Sequence, residues 1–136
     1  MTNFSGTWKL KDAQNFEALL EKAGITPELK AKLASSDAIP TVEIQQDGDN
    51  FTIKTITKLK TRVNSFKVGD TFIDEDIKEI KGIEVTVQSA WEGGKLILTN
   101  AKEATGTKAV RELVNGEMHV TMTYQGVTAK RIFTKA

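Results

Sequence analysis

From Pro40 to the end of the chain, apolar and polar residues alternate with a period of two, and only short turn signals interrupt them. The signals fall at Asp47 to Asn50, Gly69-Asp70, Gly82, Glu92 to Gly94, Gly106, Asn115-Gly116 and Gln125-Gly126. Connections this short can join only antiparallel strands, because a parallel pair needs a crossover of about a dozen residues or more. A long meander leaves two exposed edges unless it closes on itself. The pattern therefore predicts a mainly β protein folded as an antiparallel up-and-down β-barrel. A two-sheet sandwich with Greek-key crossings is the competing arrangement. Within this run, Asp74 to Asp76 is expected to be a solvated acidic turn.

The period differs only near the start. After a strand-like stretch from Phe4 to Leu10, residues Phe16, Leu19, Leu20 and Ala23 fall at i, i+3, i+4 and i+7, one face of a helix, and Gly24 supplies its stop. Thr26 then Pro27 reads as an N-cap with proline in the first helical position, and Leu29, Leu33 and Ala34 continue a second stripe. The two make a helical hairpin over about residues 14–36, the only insertion expected in the barrel. With 136 residues the chain is one domain, 1–136, long enough to enclose a cavity.

Composition removes several function classes. Lys and Arg number 19 against 18 Asp and Glu, a formal charge of +1, so the electrostatic case for a nucleic-acid partner is missing. There is no cysteine, which excludes disulfides, thiolate chemistry and zinc-cysteine sites. The opening residues lack the basic and apolar regions of a secretory signal, and no stretch approaches about eighteen apolar residues. A cytoplasmic protein is expected.

The last three strands can be registered on paper. If Asn115-Gly116 is a two-residue hairpin turn, Leu113 faces Met118, Arg111 faces Val120 and Ala109 faces Met122. The Gln125-Gly126 turn likewise pairs Met122 with Ala129, Val120 with Arg131 and Met118 with Phe133. Arg111, Val120 and Arg131 thus form one row on the apolar face. Lys108, Glu112, Glu117, His119, Thr121, Thr123, Thr128 and Lys130 take the other face, with Val110 and Ile132 as apolar exceptions.

The two arginines are two interstrand spacings apart, roughly 9.6 Å. At an effective dielectric of about 20 they repel by on the order of 1.7 kcal/mol, and dehydrating each guanidinium costs several more. No acid on these strands shares their face. Either a carboxylate from elsewhere in the chain pairs with them, or the interior holds water and an anionic ligand. Two arginines in one row favour the anion site, and the lining of Ala109, Leu113, Met118, Met122, Val127 and Phe133 is apolar. An acid head with an oily tail fits both.

Other motifs carry less. His119 faces outward opposite Glu112 and suits a surface ion pair better than a catalytic base. The scattered serines make no nucleophile and base constellation, and no enzyme is expected. Asp47-Gly-Asp-Asn50 lacks the further ligands of a calcium loop and reads as a hairpin turn; no metal is expected. Gly93-Gly-Lys95 lacks the spacing of a phosphate loop. Trp8 and Trp91 read as core residues.

With these residues in place the chain resembles the intracellular lipid-binding proteins, the family of fatty-acid-binding and cellular retinoid-binding proteins, over essentially its whole length. Phe4-Ser-Gly-Thr-Trp8-Lys-Leu10 followed by Asn15-Phe16-Glu17 is similar to the family's opening block. Pro40 to Gly48, Asn64 to Gly69, Gly93 to Leu96 and Val110 to Leu113 are similar to further blocks in the same order, and Gly126 to Phe133 to the closing strand. The resemblance implies a ten-stranded, lipocalin-like β-barrel (a β-clam) with a helix-turn-helix lid. It would bind and transport a long-chain fatty acid or a similar hydrophobic carboxylate without catalysis, a bile acid or a retinoid being the alternative.

By the same resemblance Arg111 and Arg131 match the two arginines that grip the ligand carboxylate. Phe16, Pro40 and Leu59 match positions near the portal or the bound chain, with Leu59 replacing a common phenylalanine. Met118, Val120, Met122 and Phe133 complete the expected cavity. Phe133 stands where fatty-acid binders place a tyrosine whose hydroxyl completes the carboxylate site, so a less ordered head group is expected. No cofactor is expected beyond the ligand, and a monomer is expected. Lys22, Lys30 and Lys32 on the lid read first as a solvated face, and the resemblance implies that such basic lid residues make transient contact with anionic membranes.

Overall fold

The computed structural model describes residues 2–33, 39–102 and 107–136. Among them, ten strands run antiparallel around a nearly closed barrel: β1 (Gly6–Gln14), β2 (Thr41–Asp47), β3 (Asn50–Ile56), β4 (Thr61–Lys67), β5 (Thr71–Ile73), β6 (Thr86–Glu92), β7 (Lys95–Asn100), β8 (Lys108–Val114), β9 (Glu117–Tyr124) and β10 (Val127–Lys135). Their spatial order is β4-β3-β2-β1-β10-β9-β8-β7-β6-β5. Sequence neighbours pair everywhere except β4 with β5, which are left as the unzipped edges, and β1 with β10 joins the two ends of the chain. The meander and the barrel read from the alternation are therefore the fold. Gly106, Ala34 and the last residues of the expected lid lie outside the described residues.

The turns explain the register. Asn115 and Gly116 both have positive φ (51° and 83°), as do Gln125 and Gly126 (46° and 84°). That is the backbone of a two-residue type I′ turn, whose twist matches the strands it joins. Every pair expected across β8, β9 and β10 follows, including Arg111 with Val120 and Val120 with Arg131.

Helices α1 (Phe16–Lys22) and α2 (Pro27–Leu33) form the expected hairpin. Gly24 ends the first with φ +77°. The Thr26 hydroxyl accepts from the Leu29 N–H at 3.3 Å and caps the second. α1 lies against β10 and β9, pinned by Asn15, whose side-chain amide donates to the Thr128 carbonyl at 2.8 Å.

One element departs from the sequence reading. Residues Glu75–Lys81 form a third helix, α3, between β5 and β6, so the hairpin is not the only insertion and Asp74 to Asp76 is not a solvated turn. Asp74 is 9% exposed and caps α3, its carboxylate accepting from the N–H groups of Asp76 and Ile77 at 2.9 and 3.1 Å. Glu75 and Asp76 occupy the first turn, where negative charge complements the helix dipole, and Gly82 ends the helix with φ +71°. α3 spans the gap beside β4, held by polar links. Asp76 pairs with Arg62 at 2.6 Å, Glu79 with Lys60 at 2.8 Å, and the Asn64 side-chain carbonyl accepts the Glu75 N–H at 2.8 Å.

The interior divides into two halves. At one end Phe4, Phe51, Phe66, Phe72 and Trp91 stack, with ring centroids 4.4 to 6.3 Å apart, and Trp8, Met118 and Phe133 pack on them. Trp8 donates to the Phe4 carbonyl at 2.9 Å and Trp91 to Asp49 at 2.8 Å, so both indoles are satisfied. This end is solid. The helices cover the other.

Candidate ligand-binding cavity

The ladder places residues in rows across the barrel wall. One row runs Trp91, Leu96, Arg111, Val120, Arg131, and the next toward the helices runs Ser89, Leu98, Ala109, Met122, Ala129. The arginines sit one row below the Ala109–Met122 row, above the packed aromatic half. Between that row and α1 lies a cavity of about 170 Å³. Its apolar wall comes from Phe16, Leu19 and Leu20 of α1 with Ala23 just after it, from Ile77 of α3, and from Leu98, Ala109, Val120 and Met122 of the barrel. Arg111, Asp74, Asp76, Thr107 and Tyr124 supply its polar groups.

Arg111 has two buried N–H positions, Nε and Nη1, without a hydrogen-bond partner among the described residues, and Arg131 has one, Nε. Such orphan donors are costly, and a guanidinium can only donate. Burial pushes Arg111 below its ordinary value, and the carboxylates of Asp76 and Asp74 act against that shift. Burial likewise pushes Arg131 down to about 10, with Asp76 opposing and Arg62 adding to the shift. A guanidinium keeps its proton in proteins, so both are cations toward a guest. The Arg131 guanidinium lies flat over the Phe16 ring, 3.9 Å from its centroid, so the lid touches the cation directly.

An interior acid does exist, brought by α3 rather than by a strand. It is engaged elsewhere: Asp76 binds Arg62, a side chain that sequence reasoning did not single out, and Asp74 binds backbone N–H groups. Burial and then Asp76 raise the Asp74 carboxyl above its ordinary value, with the Ile77 N–H, Arg111 and the Asp76 N–H pulling it back.

Of the residues singled out from the sequence, Arg111, Phe16, Val120 and Met122 share this cavity and Arg131 joins it through Phe16. Met118 and Phe133 are buried in the packed half below. Pro40 is buried outside the lining, and Leu59 lies between β3 and β4 at 43% exposure, away from it. His119 faces Glu112 across the ladder, yet its ring nitrogen contacts Glu117 at 3.3 Å. Tyr124 was legible, since it shares the parity of Met118, Val120 and Met122. Asp74 and Asp76 were not, because strand parity cannot place a helix.

The sequence matches the profile of the lipocalin / cytosolic fatty-acid binding protein family over residues 5–136. It is 36% identical over 139 residues to cellular retinoic acid-binding protein 1 of Homo sapiens, covering 99% of each chain. It is 37% identical over 134 residues to the intestinal fatty acid-binding protein of Bos taurus, covering 97% of this chain and 98% of that one. Among solved structures, human cRBP IV superposes with a TM-score of 0.87 at 28% identity over 100% of both chains. The REP1-NXSQ fatty acid transporter superposes at 0.86 and 26% identity over 97% of this chain and 95% of that one. The family profile over residues 5–136, with relatives that match the chain from end to end and the same ten-stranded meander, places this chain in the lipocalin / cytosolic fatty-acid binding protein family.

Proposed function

We propose that this protein binds and carries a long-chain fatty acid, or a hydrophobic carboxylate of similar shape, with the acid group drawn to Arg111 and Arg131 and the tail in the cavity under α1. The observation that carries this reading is the set of unpartnered buried guanidinium N–H groups beside an apolar cavity. A carboxylate gains charge-assisted hydrogen bonds there, worth about 1.5 to 3 kcal/mol each. Burying some fifteen methylenes contributes up to roughly 12 kcal/mol before association and ordering costs. The tail thus supplies most of the affinity, and the arginines select acids.

The cavity is smaller than the roughly 300 Å³ at the lower end of ligand pockets, so a long chain must widen it. Met122 and α1 are its movable walls. Retinoic acid is the second reading, favoured by the 36% identity to cellular retinoic acid-binding protein 1. Like a fatty acid it ends in a carboxylate. In this proposal the protein works as a cytoplasmic monomer without catalysis or cofactor, and its lid touches anionic membranes transiently.

The test compares hexadecanoate with hexadecanol on the native protein and on Arg131→Gln. Binding of the acid should weaken at least tenfold, about 1.4 kcal/mol, while the alcohol changes little. Equal losses for both ligands would refute the division of labour between head and tail. Running retinoic acid alongside separates the two ligand readings.

A further inference from the structure

Charged side chains surround the cavity, and how they are paired fixes what an occupant can bring. Three cations, Arg62, Arg111 and Arg131, lie within electrostatic reach of the carboxylates of Asp74 and Asp76. Asp76 holds Arg62 at 2.6 Å, with the Asn64 amide at 3.4 Å on its other oxygen, so Arg62 is neutralised and offers nothing to a guest. Asp74 also lines the cavity with Arg111 and opposes part of that cation's field. With Arg62 held, the cations left to a guest are Arg111 and Arg131, the two side chains with orphan donors, and Asp74 shares the cavity lining with Arg111. A first negative charge meets both guanidiniums. A second would be buried beside the Asp74 and Asp76 carboxyl groups with Arg62 already taken.

We propose that Asp76 is a specificity-determining residue that limits the head group to a single negative charge by occupying Arg62. This rests on the reading of the cavity as an anion site and adds its charge rule. Replacing Asp76 by Asn removes one carboxylate from the cavity lining and releases Arg62, leaving Glu79, itself paired with Lys60, still acting on that cation. The variant admits a dianionic head such as a phosphate monoester. Replacing Arg62 by Gln in the same chain removes the extra cation and restores the original preference.

Hexadecyl sulfate, a monoanion at all working pH, and hexadecyl phosphate, whose second proton leaves near about pH 6, are suitable probes. On the native protein the phosphate should lose about tenfold or more in affinity relative to the sulfate as pH rises from roughly 5 to 8.5. On Asp76→Asn that loss should shrink to within about threefold, and on Arg62→Gln/Asp76→Asn it should return. A phosphate-to-sulfate ratio on the native protein that does not change with pH overturns the proposal whether or not either variant folds. An unchanged tenfold loss on a folded Asp76→Asn overturns it as well. If the native protein binds neither probe nor hexadecanoate, the anion site itself is refuted and the charge rule falls with it. Binding of all three without discrimination refutes the charge rule alone.

Discussion

Asp74 shows how one side chain can join fold stability to the site. Its carboxylate caps α3 through two backbone N–H groups and lines the cavity beside Arg111. Burial raises its carboxyl above the ordinary 3.8, so the folded protein takes up this proton before the unfolded chain does. Its contribution to stability is fully present below 3.8 and is lost as pH rises through the raised folded-state value. Asn caps a helix as well as Asp but does not titrate. The stability difference between native protein and Asp74→Asn should therefore move in favour of the native protein as pH falls through that window. Thermal unfolding of both proteins at several pH values measures it, and a pH-independent difference would show that the carboxyl is not shifted. Asp74→Ala should cost about 1 kcal/mol at neutral pH through loss of the cap.

At the scale of elements, α3 takes the place of a missing ladder. β4 and β5 end the strand order and are not paired with each other, so the barrel wall there is closed by side chains instead of backbone. Asn64, 7% exposed, accepts the Glu75 N–H and reaches Asp76, tying β4 to the first turn of the helix. Asn64→Leu leaves that N–H without its partner and should cost about 1 to 3 kcal/mol in urea unfolding. It should also speed amide exchange across α3 more than across β8 to β10, and uniform acceleration would show that Asn64 does not anchor the helix. This is the element that sequence reading missed, for a physical reason. β8 to β10 were legible because two-residue turns fix register and parity then places most side chains, Leu113 excepted, which was expected in the lining and is 38% exposed, whereas one short helix among strands carries only two turns of periodicity. The cap pattern of Asp74, Glu75, Asp76 and Gly82 was the available signal. Without α3, the acids that balance the arginines had no place.

For the whole molecule, a net charge of +1 gives no long-range field to draw the protein to a membrane, so any attraction must come from a local patch on the lid. The three lid lysines, alike in sequence, differ in their surroundings. Lys30 is held in an ion pair by Glu21, whereas Lys22 is exposed at the end of α1. An anionic bilayer must compete with Glu21 for the first and meets no such rival in the pairs seen at the second. If the lid delivers its cargo by touching such a surface, transfer of a fluorescent fatty acid to anionic vesicles should be faster than to neutral ones. It should slow as salt shortens the screening length from about 10 Å toward 3 Å. Lys22→Ala should reduce the rate more than Lys30→Ala, and Glu21→Gln, by freeing Lys30, should raise it. Rates indifferent to salt and to all three substitutions would mean that cargo leaves through water, with the helices acting only as a cover over the cavity.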